Sequence, residues 1–284
     1  MKYWSDIRVK LTRNIQLPLQ LLLLMIGIYI FIMADKLSLY KIPLIFVGLL
    51  SWFFFRDKTK HPIIWLVVLT LLVLDLYHFY FRVANHHFML IFMVFSIILY
   101  KYHKRRDILL KNIQILLVVV LTASALQKLM SEPFMSGDFY YYMMNRGFVF
   151  HPFLNFFPES LDIANNNTES INALHQLDPN SAKSIKLKDV FSNLATFSFI
   201  FAWLTVVIEF IIAIALLWKP RSMWTHLFFA TLIIGILCTR LETGFMGLLG
   251  ICGLILCNNF KIRLLYILIV IGSLSLIVTK FGFH

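Results

Sequence analysis

Nine apolar runs, most of them bounded by charge, set the limits on what this chain can fold into. They lie at about 15–34, 42–55, 62–81, 87–100, 112–129, 193–217, 223–239, 244–257 and 264–279. A helix needs ~20 apolar residues to cross the hydrocarbon of a bilayer, and most of these runs are close to that. Lipid offers no hydrogen bonds to the backbone, so spans of this kind are helices. A water-soluble core is excluded by amount. The chain is 60% hydrophobic and 14% charged, whereas an ordinary soluble domain is ~25% charged. The expectation is an all-α, polytopic integral membrane helical bundle with about eight to nine transmembrane helices, forming a single transmembrane domain over residues 1–284. The second, fourth and eighth runs are short, so the count falls by one if one of them is re-entrant. The first run, Leu17 to Met33, is long enough to span and no small-residue cleavage site follows it. It reads as a span, not a cleavable signal.

Charge gives the orientation. With the N-terminus inside, the inner segments hold 16 basic residues against the acids Asp6, Asp57 and Asp107, and the outer side holds ten basic residues against nine acids. The excess of Lys and Arg on one side predicts N-terminus in and C-terminus out, as in a bacterial plasma membrane. The net charge of +12 is thereby explained without nucleic acid, and membrane lipids are the expected surroundings. Cys238, Cys252 and Cys257 have neither CxxC nor metal-ligand spacing, so they read as small packing residues. No metal site is predicted. One long segment, about 130–192, breaks the alternation on the outer side. Its first half is aromatic and reads as interfacial or folded back on the helices. Its second half, from Glu159, reads as a solvated loop. The sequon Asn166-Asn167-Thr168 within it reads as a chance occurrence.

Polar residues inside apolar helices need a physical reason. Lys128 ends the run beginning near Ile113; a cation there must snorkel, find a partner or lose its proton. Asp75, His78 and Arg82 follow at spacings of three and four, placing them on one helical face, either as a helix-locking pair or as part of a site. Asn85, His86 and His87 follow in the expected outer turn. Glu209 lies within VVIEFII with no charged residue within a turn; read alone, it is a protonated, hydrogen-bonded carboxyl or a site residue. Arg240 and Glu242 sit at the outer end of the seventh run, as a loop ion pair or an anion-binding pair. Polar residues in the inner halves of the spans look nearly absent, so the pattern favours a site open to the outer face over a channel or an alternating-access carrier.

These residues carry a resemblance. QKLMSEPFMSGDFYYYM, ANHHFML, IEFIIAIALLW and TRLETGFMGLLG resemble, in order and spacing along about 60–258, the motifs of the membrane domain of vitamin K-dependent gamma-glutamyl carboxylase. Its bacterial relatives are the horizontally transferred transmembrane (HTTM) domain proteins. In that family a lysine amine deprotonates a hydroquinone. The anion reacts with oxygen, and the resulting alkoxide removes a proton from a glutamate side chain. By position, the resemblance implies that Lys128 is the base and that Asn85 and His86 orient or stabilise the oxyanion. It implies a reduced quinone as cofactor. His78, Asp75, Glu209, Arg240 and Glu242 are the candidate substrate-binding residues. Desolvation disfavours a charged amine, which suits this role. The chain departs from the pattern at Phe134, where the family has tryptophan, and around Arg240.

The sequence ends at His284 without a counterpart of the carboxylase's lumenal peptide-binding domain, so peptide glutamate carboxylation by this chain alone is not expected. Short relatives of the family include membrane proteins for the maturation of secreted peptide toxins of the sporulation-delaying type. Three readings stay open: carboxylase- or epoxidase-like chemistry on a quinol-like lipid, a non-enzymatic factor for peptide maturation or export, and a small-molecule carrier using Asp75 and Glu209.

Overall fold

The computed structural model describes residues 15–32, 62–80, 85–178 and 184–279. The chain is all-α over these residues, and no strand forms among them. The helices are α1 (Gln16–Ile32), α2 (Pro62–Phe79), α3 (Asn85–His103), α4 (Arg106–Leu129), α5 (Glu132–Met135), α6 (Asp138–Asn145), α7 (His151–Leu154), α8 (Pro158–His175), α9 (Leu194–Trp218), α10 (Met223–Arg240), α11 (Thr243–Leu256) and α12 (Phe260–Val278). Eight of the nine predicted runs are helices, and the one at 42–55 lies outside the described residues. Among the described residues, α4, α9, α10 and α12 are long and apolar enough to cross a membrane, whereas eight to nine spans were expected. The apolar stretches of α1, α2 and α11 are shorter.

The helices divide into two compact units, one of residues 1–120, 213–233 and 242–284, the other of 121–212 and 234–241. In the first unit α11 is buried from Met246 to Leu256. A helix apolar all round belongs inside other helices. Its glycines give the neighbours room: α12 packs along it and α1 against it. A Cβ at Gly253 would lie 2.4 Å from the Tyr266 ring, and one at Gly247 2.6 Å from Met25. Small residues let helix backbones approach closely in membranes, and Tyr266 of α12 fills the space above Gly253. Arg263, one of the 16 basic residues assigned to the inner side, is only 2% exposed. Its guanidinium donates to the carbonyls of Leu254 (2.5 Å) and Cys257 (2.9 Å), where the end of α11 leaves acceptors unfilled. The three cysteines are free thiols, Cys252 and Cys257 buried and Cys238 exposed.

The second unit corrects the expectation of a solvated loop after Glu159. The segment is the helix α8, with Ala164, Asn167 and Ile171 buried along one face. That spacing of three then four is a narrow helical stripe. Pro158 at the first position and Glu159 in the first turn suit a helix start. Asn167 is the clasp. Its Nδ2 donates to the carbonyls of Asn145 (3.0 Å) and Lys188 (2.8 Å), and its Oδ1 accepts from the Lys188 amide (3.0 Å). Asn145 Oδ1 accepts from the Val190 amide at 3.1 Å. Asn166 of the sequon is an exposed helical residue. Replacing Asn167 with Ala is expected to leave buried amide and carbonyl groups without partners, at about 1–3 kcal/mol each. Faster hydrogen exchange at the Lys188 amide, which donates to Asn167 Oδ1, would register the loss.

The aromatic half of the segment folds back, as expected. Phe134, Tyr140 and Met144 pack with Ala125 of α4 and with Leu194, Ala202 and Val206 of α9. Tyr140 meets Phe201 edge-on at 4.7 Å. Outside the spans, Tyr141 donates its hydroxyl to Asp189 at 2.5 Å. That hydrogen bond, followed by burial, pushes the phenol above its ordinary value. The protonated phenol is therefore favoured in the folded state. Its contribution is complete below the unfolded tyrosine value of ~10 and is lost as pH rises through the higher folded value. On alkaline titration, tyrosinate absorbance should lose one late phenol in Tyr141→Phe, and that phenol should titrate earlier in Asp189→Asn.

Candidate functional site

Lys128 stands one residue before the end of α4, and Glu209 lies within α9. Lys128 Nζ donates to Glu209 Oε1, closing an ion pair between residues 81 apart in sequence. The Lys128 side chain is 17% exposed and that of Glu209 4%. Each thus meets the need for a partner that burial in an apolar setting creates. A second Lys128 proton goes to Ser124 Oγ at 3.0 Å, one turn back along α4. The ring of Phe134 lies 5.8 Å from Nζ, at the outer limit of cation–π contact. An aromatic face thus stands against the amine.

Gly137 makes this arrangement possible. It holds φ +88°, and a Cβ there would lie 2.7 Å from the Phe199 amide nitrogen. The turn that brings Phe134 beneath Lys128 thus runs against the α9 backbone. Two polar valences remain over. An ammonium has three donors, and Glu209 and Ser124 take two. Glu209 Oε2 is buried without a hydrogen-bond partner among the described residues. One donor and one acceptor, side by side on an ion pair, match the one acceptor and one donor of a hydroxyl.

Asn85, His86 and His87 belong to the first unit, and they correct the expectation of a turn: they begin α3. Asn85 is its first residue. His87, which was not a predicted site residue, is 1% exposed. Its Nε2 is 2.8 Å from the Leu72 carbonyl and its Nδ1 3.2 Å from the Tyr29 hydroxyl. A carbonyl only accepts, so Nε2 carries the proton. In the neutral ring Nδ1 then accepts from Tyr29. His87 thereby ties α3 to α1 and α2. His86 packs edge-on against Tyr29 at 5.6 Å and stacks on Phe245 at 6.1 Å. Sequence could not rank two adjacent histidines; the 100° step between neighbours on a helix sends one inward and leaves the other at the edge.

Asp75 is buried. His78 is exposed, with its ring 5.3 Å from Tyr77. A step of three residues leaves ~60° between side chains, so Asp75 lies on the buried stripe of α2 and His78 at its exposed edge. Arg82 lies outside the described residues. Arg240 places its guanidinium 5.8 Å from the Phe139 ring in the second unit. Glu242 precedes α11 in the first unit, and its carbonyl accepts from the Met246 amide at 3.0 Å.

Two buried polar residues near the predicted inner ends of spans went unnoticed in the sequence, and they weaken the expected asymmetry. Gln114 Nε2 donates to the carbonyls of Leu216 (2.9 Å) and Leu217 (3.1 Å). His226 is 3.1 Å from the Tyr266 hydroxyl through Nδ1. Among the described residues no group of three or more His, Cys, Asp or Glu side chains is placed to hold a metal ion. No family model, curated protein or solved structure matches the chain.

Proposed function

We propose that this chain is a polytopic membrane protein of the HTTM kind whose Lys128–Glu209 pair abstracts a proton from a quinol-like lipid. Its eight to nine spans would run with the N-terminus cytoplasmic and the C-terminus outside, in the order set by the basic loops. The observation that carries the reading is the leftover donor on Lys128 beside the leftover acceptor on Glu209. A phenolic hydroxyl can accept from the amine and donate to the carboxylate, and so be held at the groups that take its proton.

The pair also solves a problem for a lysine base. An ion pair and its amine–carboxylic acid form differ by one proton moved along a single hydrogen bond, and a low dielectric narrows the preference for separated charges. With the proton on Glu209, the amine lone pair accepts from the carboxylic acid, and rotation about the Lys128 Cε–Nζ bond turns it to the substrate proton. The reduced quinone, when bound, supplies the chemistry with oxygen. The chain binds, orients and accepts the proton.

The test is mass spectrometry of lipids retained by the purified full chain. Enrichment of a quinone over its proportion in the source membrane, lost in Lys128→Ala, is expected. A quinone content equal to the bulk membrane in both proteins contradicts the reading.

A further inference from the structure

The first unit contains a polar feature of its own, built from residues that the proposed proton abstraction does not use. A cavity of about 480 Å³ is lined by Lys111 and Gln114 of α4, by Lys219, Arg221 and Ser222 of the turn between α9 and α10, and by Asp107. Its volume falls within the range of small-ligand sites, ~300–1,000 Å³. Three cations face one carboxylate. That carboxylate is already engaged, since Asp107 pairs with Arg105 at 2.7 Å. Among the described residues Lys111, Lys219 and Arg221 have no ion-pair partner. The Gln114 amide is fixed on the Leu216 and Leu217 carbonyls, giving the cavity a rigid back wall. The chemistry is that of an anion site, and phosphate suits a cluster of Lys and Arg.

The flanking residues say where that anion is. Trp218 and Trp224 bracket the turn and are 83% and 67% exposed. Exposed tryptophans at helix ends mark the level of lipid headgroups. Beyond them, Ile214 and Leu217 on α9 and Phe228 on α10 are exposed apolar side chains, a surface for acyl chains. A basic cavity, a tryptophan on each side and apolar helix faces below reproduce the order headgroup, interface, hydrocarbon. We infer that this cavity binds the phosphate headgroup of an anionic phospholipid, with Lys111, Lys219 and Arg221 as its ligands. Basic pockets between transmembrane helices on the cytoplasmic side recognise such headgroups by this chemistry.

The test uses the full chain in detergent and native mass spectrometry, titrated with phosphatidylglycerol, phosphatidylcholine or inorganic phosphate. Phosphatidylglycerol should bind in preference to phosphatidylcholine, and inorganic phosphate at equal concentration should not displace it. Each cation removed should weaken phosphatidylglycerol binding about fivefold. The triple variant Lys111→Gln, Lys219→Gln, Arg221→Gln should thus lose roughly a hundredfold. The charge-keeping variant Lys111→Arg, Lys219→Arg, Arg221→Lys should retain binding, and so should Lys186→Gln, whose cation lies in the other unit. Equal binding of both lipids, or unchanged affinity in the triple variant, overturns the proposal. Displacement by inorganic phosphate overturns the lipid assignment in favour of a free-phosphate site. Loss of binding in the charge-keeping variant also overturns it, since folding and not charge would then be the cause.

Discussion

Replacing Lys128 with Met is expected to destabilise the protein by about 3–5 kcal/mol, because it leaves the Glu209 carboxylate buried without its cation. Glu209→Leu should cost a similar amount by stranding the Lys128 ammonium, whose side chain is only 17% exposed. The double variant should return to within about 1 kcal/mol of the parent, since a buried pair replaced by apolar groups of similar size is often neutral or better. Equilibrium unfolding in mixed micelles measures all three. The prediction is a strong non-additivity between residues 81 apart in sequence. Single losses that simply add would mean that the two side chains do not meet. Ser124 is the control: its hydroxyl accepts from Lys128 at 3.0 Å, and Ser124→Ala should cost only about 1 kcal/mol, with the ion pair intact.

The second large effect is expected at Gly137. Its φ of +88° is disfavoured for any residue with a Cβ, and that Cβ would lie 2.7 Å from the backbone nitrogen of Phe199. The obstacle is main chain in the middle of α9's packing, which no rotamer change can move. Gly137→Ala therefore adds backbone strain, ~1–2 kcal/mol, to overpacking, ~1–3 kcal/mol, for about 2–5 kcal/mol in all. The damage should reach the site. Phe134 is held by the same turn and lies 5.8 Å from Lys128 Nζ, so displaced packing removes the aromatic face from the amine. Thermal unfolding would record the stability loss. Near-ultraviolet circular dichroism would record the loosening of the cluster formed by Phe134, Phe139 and Tyr140. A melting temperature equal to that of the parent would contradict the geometry.

Much of the helical layout was legible because apolar length and charge are local properties of the chain. The boundaries of α9 and α10 fall within a residue of the runs that predicted them. Partners were not legible. Lys128 stood out as a costly cation, and Glu209 as a costly acid, but nothing in an apolar run says which other helix it faces. The α8 helix was missed for a related reason. Its composition is polar, and only the narrow stripe of Ala164, Asn167 and Ile171 marks a buried face. Reading an asparagine as a core residue required seeing the 184–190 segment it clasps. Arg263 and Gln114 show the converse. Neither stood out in the sequence, and each is buried because unfilled carbonyls at the ends of α11 and α9 need donors.

The most direct test of a proton-abstracting Lys128 is hydroquinone-dependent oxygen consumption by the full chain in proteoliposomes, compared with Lys128→Ala and Lys128→Arg. A general base contributes about 10²- to 10⁴-fold. Both variants should therefore lose at least about a hundredfold in rate, the arginine while keeping a cation beside Glu209, because it yields no lone pair at neutral pH. Uptake at the parental rate in either variant, or no uptake by a correctly folded parent, would contradict the account.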